Sequence, residues 1–125
     1  MKYLCMVFYD EKKLEALSSS DSQALTDESL AYDSTLRQGG HFIAAQALES
    51  VHSATTVRIR NGKPFVTDGP FAETTEQLAG FYLIDARDLN DAIQIASQIP
   101  PARVGSIEVR PVRDLTSTSG EKRRI

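Results

Sequence analysis

Two carboxylates, Asp68 and Glu73, lie five residues apart in the stretch V-T-D-G-P-F-A-E-T-T-E-Q-L-A-G from Val66 to Gly80, which also carries Glu76. A carboxylate at the mouth of a cleft can act as a general base or orient a substrate. Asp68 has a second role open to it, since Asp68-Gly69-Pro70 is turn chemistry and an aspartate there bonds its own backbone. Glu73 is either the partner carboxylate or a hydrogen-bond acceptor at a short helix start, because Thr74 and Gln77 have capping-box spacing. Arg58 can reach a loop carboxylate or an anionic ligand, though a solvated strand arginine or a weak ion pair is the more ordinary role at such a position. Tyr9 and Tyr82, with Phe71 of the loop, supply apolar ligand-contact surface. The hydroxyls of Tyr9, Tyr32 and Tyr82 are polar handles for a pocket or for a packed core. Asp68 and Glu73 are thus the candidate catalytic residues, and Arg58, Phe71, Tyr82 and Tyr9 the candidate ligand contacts.

Other chemistries lack their residues. His41 and His52 are the only histidines, and neither has a ligand partner at metal-site spacing, so no metal is expected. There is no G-x-S-x-G, phosphate loop, dinucleotide fingerprint or C-x-x-C, and no cofactor is expected. Seventeen acidic residues against fourteen basic give a net charge of −3, which offers nucleic acid no global attraction. No run approaches the ~20 apolar residues of a membrane span. Cys5, the single cysteine, lies in an apolar run and is expected to be a buried packing residue of a cytoplasmic protein.

At 125 residues the chain has the length of one domain, expected over residues 1–115 with a flexible polar tail at 116–125. Tyr3 to Tyr9 is apolar and aromatic, a buried strand, and Glu11 to Leu17 a short helix. A serine run interrupts before a longer helix from Gln23 to Gln38, whose Leu25, Ser29, Tyr32 and Leu36 share one face. Gly39-Gly40 stops it. His41 to Leu48 makes a second strand. Thr55 to Arg60 alternates with period two, Asn61-Gly62 predicts a type I′ hairpin turn, and Lys63 to Thr67 returns. Phe81 to Ala86 is an interior strand. Asp88 caps a helix with Leu89, Ala92, Ile93, Ala96 and Ile99 inward, ended by Pro100-Pro101. Ser106 to Val112 closes with Ile107, Val109 and Pro111 on its inward side. This order predicts an α+β fold, the ferredoxin-like split βαβ plan with an extra β-hairpin. Helices on one face leave the other uncovered, so a homodimer is expected.

The run from Thr67 to Thr74, followed by Glu76-Gln77-Leu78 and Gly80 to Ile84, resembles the YCII-related proteins of the DGPF type. The flanking A-T-T-V-R at 54–58, Ile99-Pro100 and G-S-I-E-V-R-P at 105–111 resemble them too, so the likeness covers residues 1 to about 112. It implies a ferredoxin-like fold paired as a dimeric α/β barrel in a bacterial, cytoplasmic protein, many relatives being encoded beside sigma factors. The family commonly has a lysine where this chain has Thr75. A histidine proposed in shorter relatives, on the first long helix, has Glu28 near its place here. Two functions follow as expectations: a dimeric small-ligand-binding or regulatory module associated with a sigma factor, or a cofactor-independent enzyme using Asp68 for proton transfer on a small organic substrate.

Overall fold

Alternation of apolar side chains along the first strand sets the architecture, because residues two apart point to the same face of a sheet. The computed structural model describes residues 1–116. In order its elements are β1 (Lys2–Tyr9), α1 (Glu11–Glu15), α2 (Ser19–Gln38), β2 (Phe42–Ala47), β3 (Thr55–Arg60), β4 (Lys63–Asp68), β5 (Gln77–Asp85), α3 (Leu89–Ser97) and β6 (Gly105–Pro111). Single 3-10 turns occupy Val51–Ser53 and Pro100–Arg103. Four strands form an antiparallel sheet in the order β2-β5-β1-β6. The fold is α+β, and this order is that of the ferredoxin-like plan. The β3–β4 hairpin forms a separate two-stranded arm, turned at Asn61 (φ 52°) and Gly62 (φ 74°), as a type I′ turn requires.

Tyr3, Cys5 and Val7 of β1, with Tyr82 and Ile84 of β5, face the helices. They pack against Leu36 of α2, Ala92, Ile95 and Ala96 of α3, and Ile99. Full burial of one such aliphatic side chain stabilises the fold by about 1.5–3 kcal/mol. The opposite face carries Leu4, Met6 and Phe8 of β1 and Phe81 and Leu83 of β5, all only half-buried. Among the described residues no helix packs on that face.

Several boundaries differ from the sequence-based expectation, each for a physical reason. The helix α2 begins at Ser19 rather than Gln23 because Ser18 is its N-cap, its hydroxyl accepting from Asp21 N at 3.1 Å. The serine run starts the helix instead of interrupting it. No helical turn follows Thr74. Gln77 opens β5 there, its side-chain amide donating to the Thr74 carbonyl at 2.7 Å and accepting from Glu11 N at 3.0 Å. That amide is a cross-link between the loop and α1, not a cap. On α3 the buried row is Ala92, Ile95, Ala96, with Ile99 beyond. Leu89 and Ile93, expected inward, sit on the helix flank and are exposed. Pro111 is also exposed, at the end of β6. The tail expected to be flexible lies, from residue 117 on, outside the described residues. No helix among the described residues is long and apolar enough to cross a membrane.

Asp88 caps α3 as expected, its carboxylate accepting from Asp91 N at 2.9 Å. Asp88→Ala orphans that donor and is expected to lower unfolding free energy by about 1 kcal/mol. Urea denaturation checks this, and an unchanged midpoint would show the cap to be energetically silent.

Candidate functional site

The inward row of α2 runs through Leu25, Ser29 and Asp33 at steps of four, one face of a helix. Beneath it the strands carry side chains too small to reach up: Ala45 and Ala47 on β2, Ala79 and Gly80 on β5. The gap that remains is a cavity of about 510 Å³, within the size range of small-molecule sites. Tyr9 at the end of β1, Tyr82 of β5 and Leu14 of α1 line it as well. A β-bulge shapes its floor. Pairing of β1 with β5 jumps from Val7↔Gly80 to Phe8↔Leu78, leaving Ala79 as the extra residue. The Ala79 carbonyl turns instead to Leu48 N at 2.8 Å. Bulges re-aim side chains beside functional sites.

Among the described residues one charged side chain lines this cavity, the carboxylate of Asp33. Its Oδ1 is sealed from solvent and has no hydrogen-bond partner among the described residues. An unsatisfied buried polar atom is costly and rare in native structures. The neighbouring Tyr82 phenol is held well above its ordinary pKa, first by burial and then by the charge and hydrogen-bonding of Asp33. Tyr9 is likewise raised, by burial and then by the charge of Glu11. Tyr32 stands behind the site: its hydroxyl donates to the Ile95 carbonyl at 2.7 Å and its ring tilts against Tyr82 at 6.5 Å. Burial, with a smaller effect from Cys5, pushes it up to about 12. Asp33 and two neutral phenols therefore offer an apolar chamber one acceptor of negative charge and two hydroxyls.

The candidates named from sequence divide into two groups. Tyr9 and Tyr82 line the cavity. Asp68, Glu73, Arg58 and Phe71 do not; they belong to the arm and the loop that follows it. Asp68 ends β4 opposite Thr55 and is exposed, as is Glu73. The loop is pinned by its backbone, with Gly69 N donating to the Ala54 carbonyl and Thr56 Oγ1 to the Gly69 carbonyl, each at 2.7 Å. Arg58 donates to the Phe71 carbonyl at 3.2 Å, so its guanidinium braces the loop rather than meeting a carboxylate. The Phe71 ring is 79% exposed. His41 Nδ1 lies 2.9 Å from the Asp85 carbonyl, and His52 is exposed on a 3-10 turn. Among the described residues no three His, Cys, Asp or Glu side chains are grouped to hold a metal ion. Glu28 forms an exposed ion pair with Arg103 and stands outside the cavity lining.

Sequence reasoning passed over Asp33. A signal was present: a carboxylate one turn beyond Ser29 on the apolar row of α2, where water-facing residues do not fall. Removing its charge gives a direct check. Asp33→Asn is expected to bring the Tyr82 titration down, yet leave it above an ordinary phenol because burial is the larger cause. Phenolate absorbance during an alkaline titration reads this, and an unmoved transition would show that Asp33 does not act on Tyr82.

The profile of the YCII-related domain matches residues 1–116. The chain is also 35% identical over 114 residues to an uncharacterised protein of Rhizobium meliloti (strain 1021), covering 90% of this chain and 92% of that one. With the domain match along residues 1–116 and this relative, the chain belongs to the YCII-related family.

Proposed function

We propose that this protein is a homodimeric small-ligand-binding module whose ligand occupies the cavity beneath α2. The observation that carries the reading is the Asp33 carboxylate, lining a 510 Å³ apolar chamber with one oxygen buried and unsatisfied. A fold does not keep such a group for stability, since an apolar residue of similar size would remove the cost. A ligand that donates to it offsets that cost. Dimerisation is supported by the uncovered sheet face around Leu4, Met6, Phe81 and Leu83. It is supported too by the arm, where Val57, Ile59 and Val66 are exposed on one side. Contiguous apolar surface of this kind marks an interaction site. A regulatory form of this reading has the dimer act with a sigma factor, as the family resemblance implies, and co-purification after co-expression tests it.

The cofactor-independent enzyme is the second reading, favoured by the closeness of a carboxylate to a neutral phenol. For a molecule in this cavity the proton-transfer group at hand is Asp33, with Tyr82 beside it. Asp68 would serve a substrate held at the arm or at a site completed by a second copy.

Ser29→Phe places a ring in the cavity from α2 and separates occupancy from fold. Thermal-shift screening of small organic compounds is expected to find binders of the wild type whose stabilisation is lost in Ser29→Phe. Light scattering is expected to give twice the 13.8 kDa chain mass for both. Equal stabilisation of the two proteins by every binder would remove the cavity from consideration, and a monomer would remove the dimer.

A further inference from the structure

We infer that the cavity selects a small cation, an amine or amidine nitrogen carried on an apolar body, over neutral or anionic molecules of the same shape. The inference rests on the reading that the cavity holds a ligand, and adds the ligand's chemical class. Among the described residues that line the chamber, Asp33 is the only formally charged side chain, with no lysine, arginine or histidine beside it. Asp33 takes no part in the ion pairs formed among the described residues; its buried Oδ1 has no hydrogen-bond partner among them, and the group that does engage the carboxylate, the Tyr82 phenol, is neutral. The two phenols that line the site are neutral at ordinary pH, and burial raises both further, so neither adds charge or counter-charge. An anion entering would meet a carboxylate that no cation among the described lining residues compensates, and would be repelled by it. An ammonium entering supplies the missing partner, in a charge-assisted hydrogen bond. The rings of Tyr9 and Tyr82 and the side chains of Leu25 and Leu30 accommodate its apolar body, and an aromatic face adds to the attraction for a cation.

Three probes of one shape test this on the full chain: benzylamine, benzyl alcohol and benzoate, followed by calorimetry and by amide chemical shifts of α2 and β5. Benzylamine is expected to bind about tenfold or more tightly than benzyl alcohol, with benzoate weakest. In Asp33→Asn that preference is expected to vanish, the circular dichroism spectrum serving as the check on folding. Benzoate or benzyl alcohol binding as tightly as benzylamine would overturn the charge selectivity and leave the ligand-binding reading standing. An amine preference that survives in Asp33→Asn would overturn it as well. Failure of all three to perturb the α2 and β5 amides at millimolar concentration would overturn both readings together.

Discussion

Replacing Gly105 with alanine is expected to destabilise the protein by about 3 kcal/mol, enough to unfold a marginal domain. A Cβ built on Gly105 would lie 2.0 Å from the Phe8 carbonyl oxygen and 2.9 Å from Tyr9 Cβ. Both atoms belong to the central strand, paired across the sheet with β6 at Tyr9↔Gly105 and Phe8↔Ser106. Backbone cannot swing aside as a flexible side chain can, so the β1–β6 register must open at this end. With it goes the bond from Ser106 Oγ to Glu76 Oε1, 2.7 Å long, which ties β6 to the approach of β5. The Phe8–Tyr9 end of β1 also borders the cavity through Tyr9, so ligand stabilisation should fall with the fold. Urea unfolding measures the loss. A deficit below about 0.5 kcal/mol, the scale of an ordinary surface change, would mean the strands separate here at little cost.

The second large effect is a loss of stability in alkali. Cys5 is fully buried, and that burial pushes its thiol from 9.0 to about 11. Tyr32 is raised from 10.0 to about 12, and Tyr82 is raised as well. The sign follows from which state releases protons. Above pH 9 the unfolded chain ionises its cysteine while the folded one keeps the thiol neutral, so rising pH favours the unfolded state. Stability held in full below pH 9 is lost as pH climbs through the folded values. A shift of this size on a fully buried thiol corresponds to about 2–3 kcal/mol for Cys5 by pH 11. Urea midpoints between pH 8 and 11 are expected to fall steeply for the wild type. Cys5→Ala should start lower, because it leaves a cavity, and fall less over the same interval. Parallel slopes for the two proteins would show that the thiol does not titrate with unfolding.

Local chemistry carried the sequence reading wherever neighbours in the chain decide the outcome. Thr55 to Arg60 alternates, Asn61-Gly62 turns and Lys63 onward returns, and the hairpin folds with those bounds because register and turn are set within the segment. The cap at Asp88 and the burial of Cys5 were legible for the same reason. Boundaries set by long-range contacts were not. Gln77 looks like a capping residue until Glu11 N, far off in the chain, engages its amide.

The site divides in the same way. Strand and helix order, the extra hairpin and the family were determined by the sequence itself, since pattern, turn residues and motif are properties of consecutive positions. Which carboxylate meets the cavity was decided only in three dimensions. Asp68 stands in the most distinctive run of the chain, yet its strand pairs away from the sheet. Asp33 stands in an unremarkable helix whose inward face crosses a floor of alanine and glycine. Packing leaves a hollow only where small side chains from distant segments meet, and no window along the chain contains both walls.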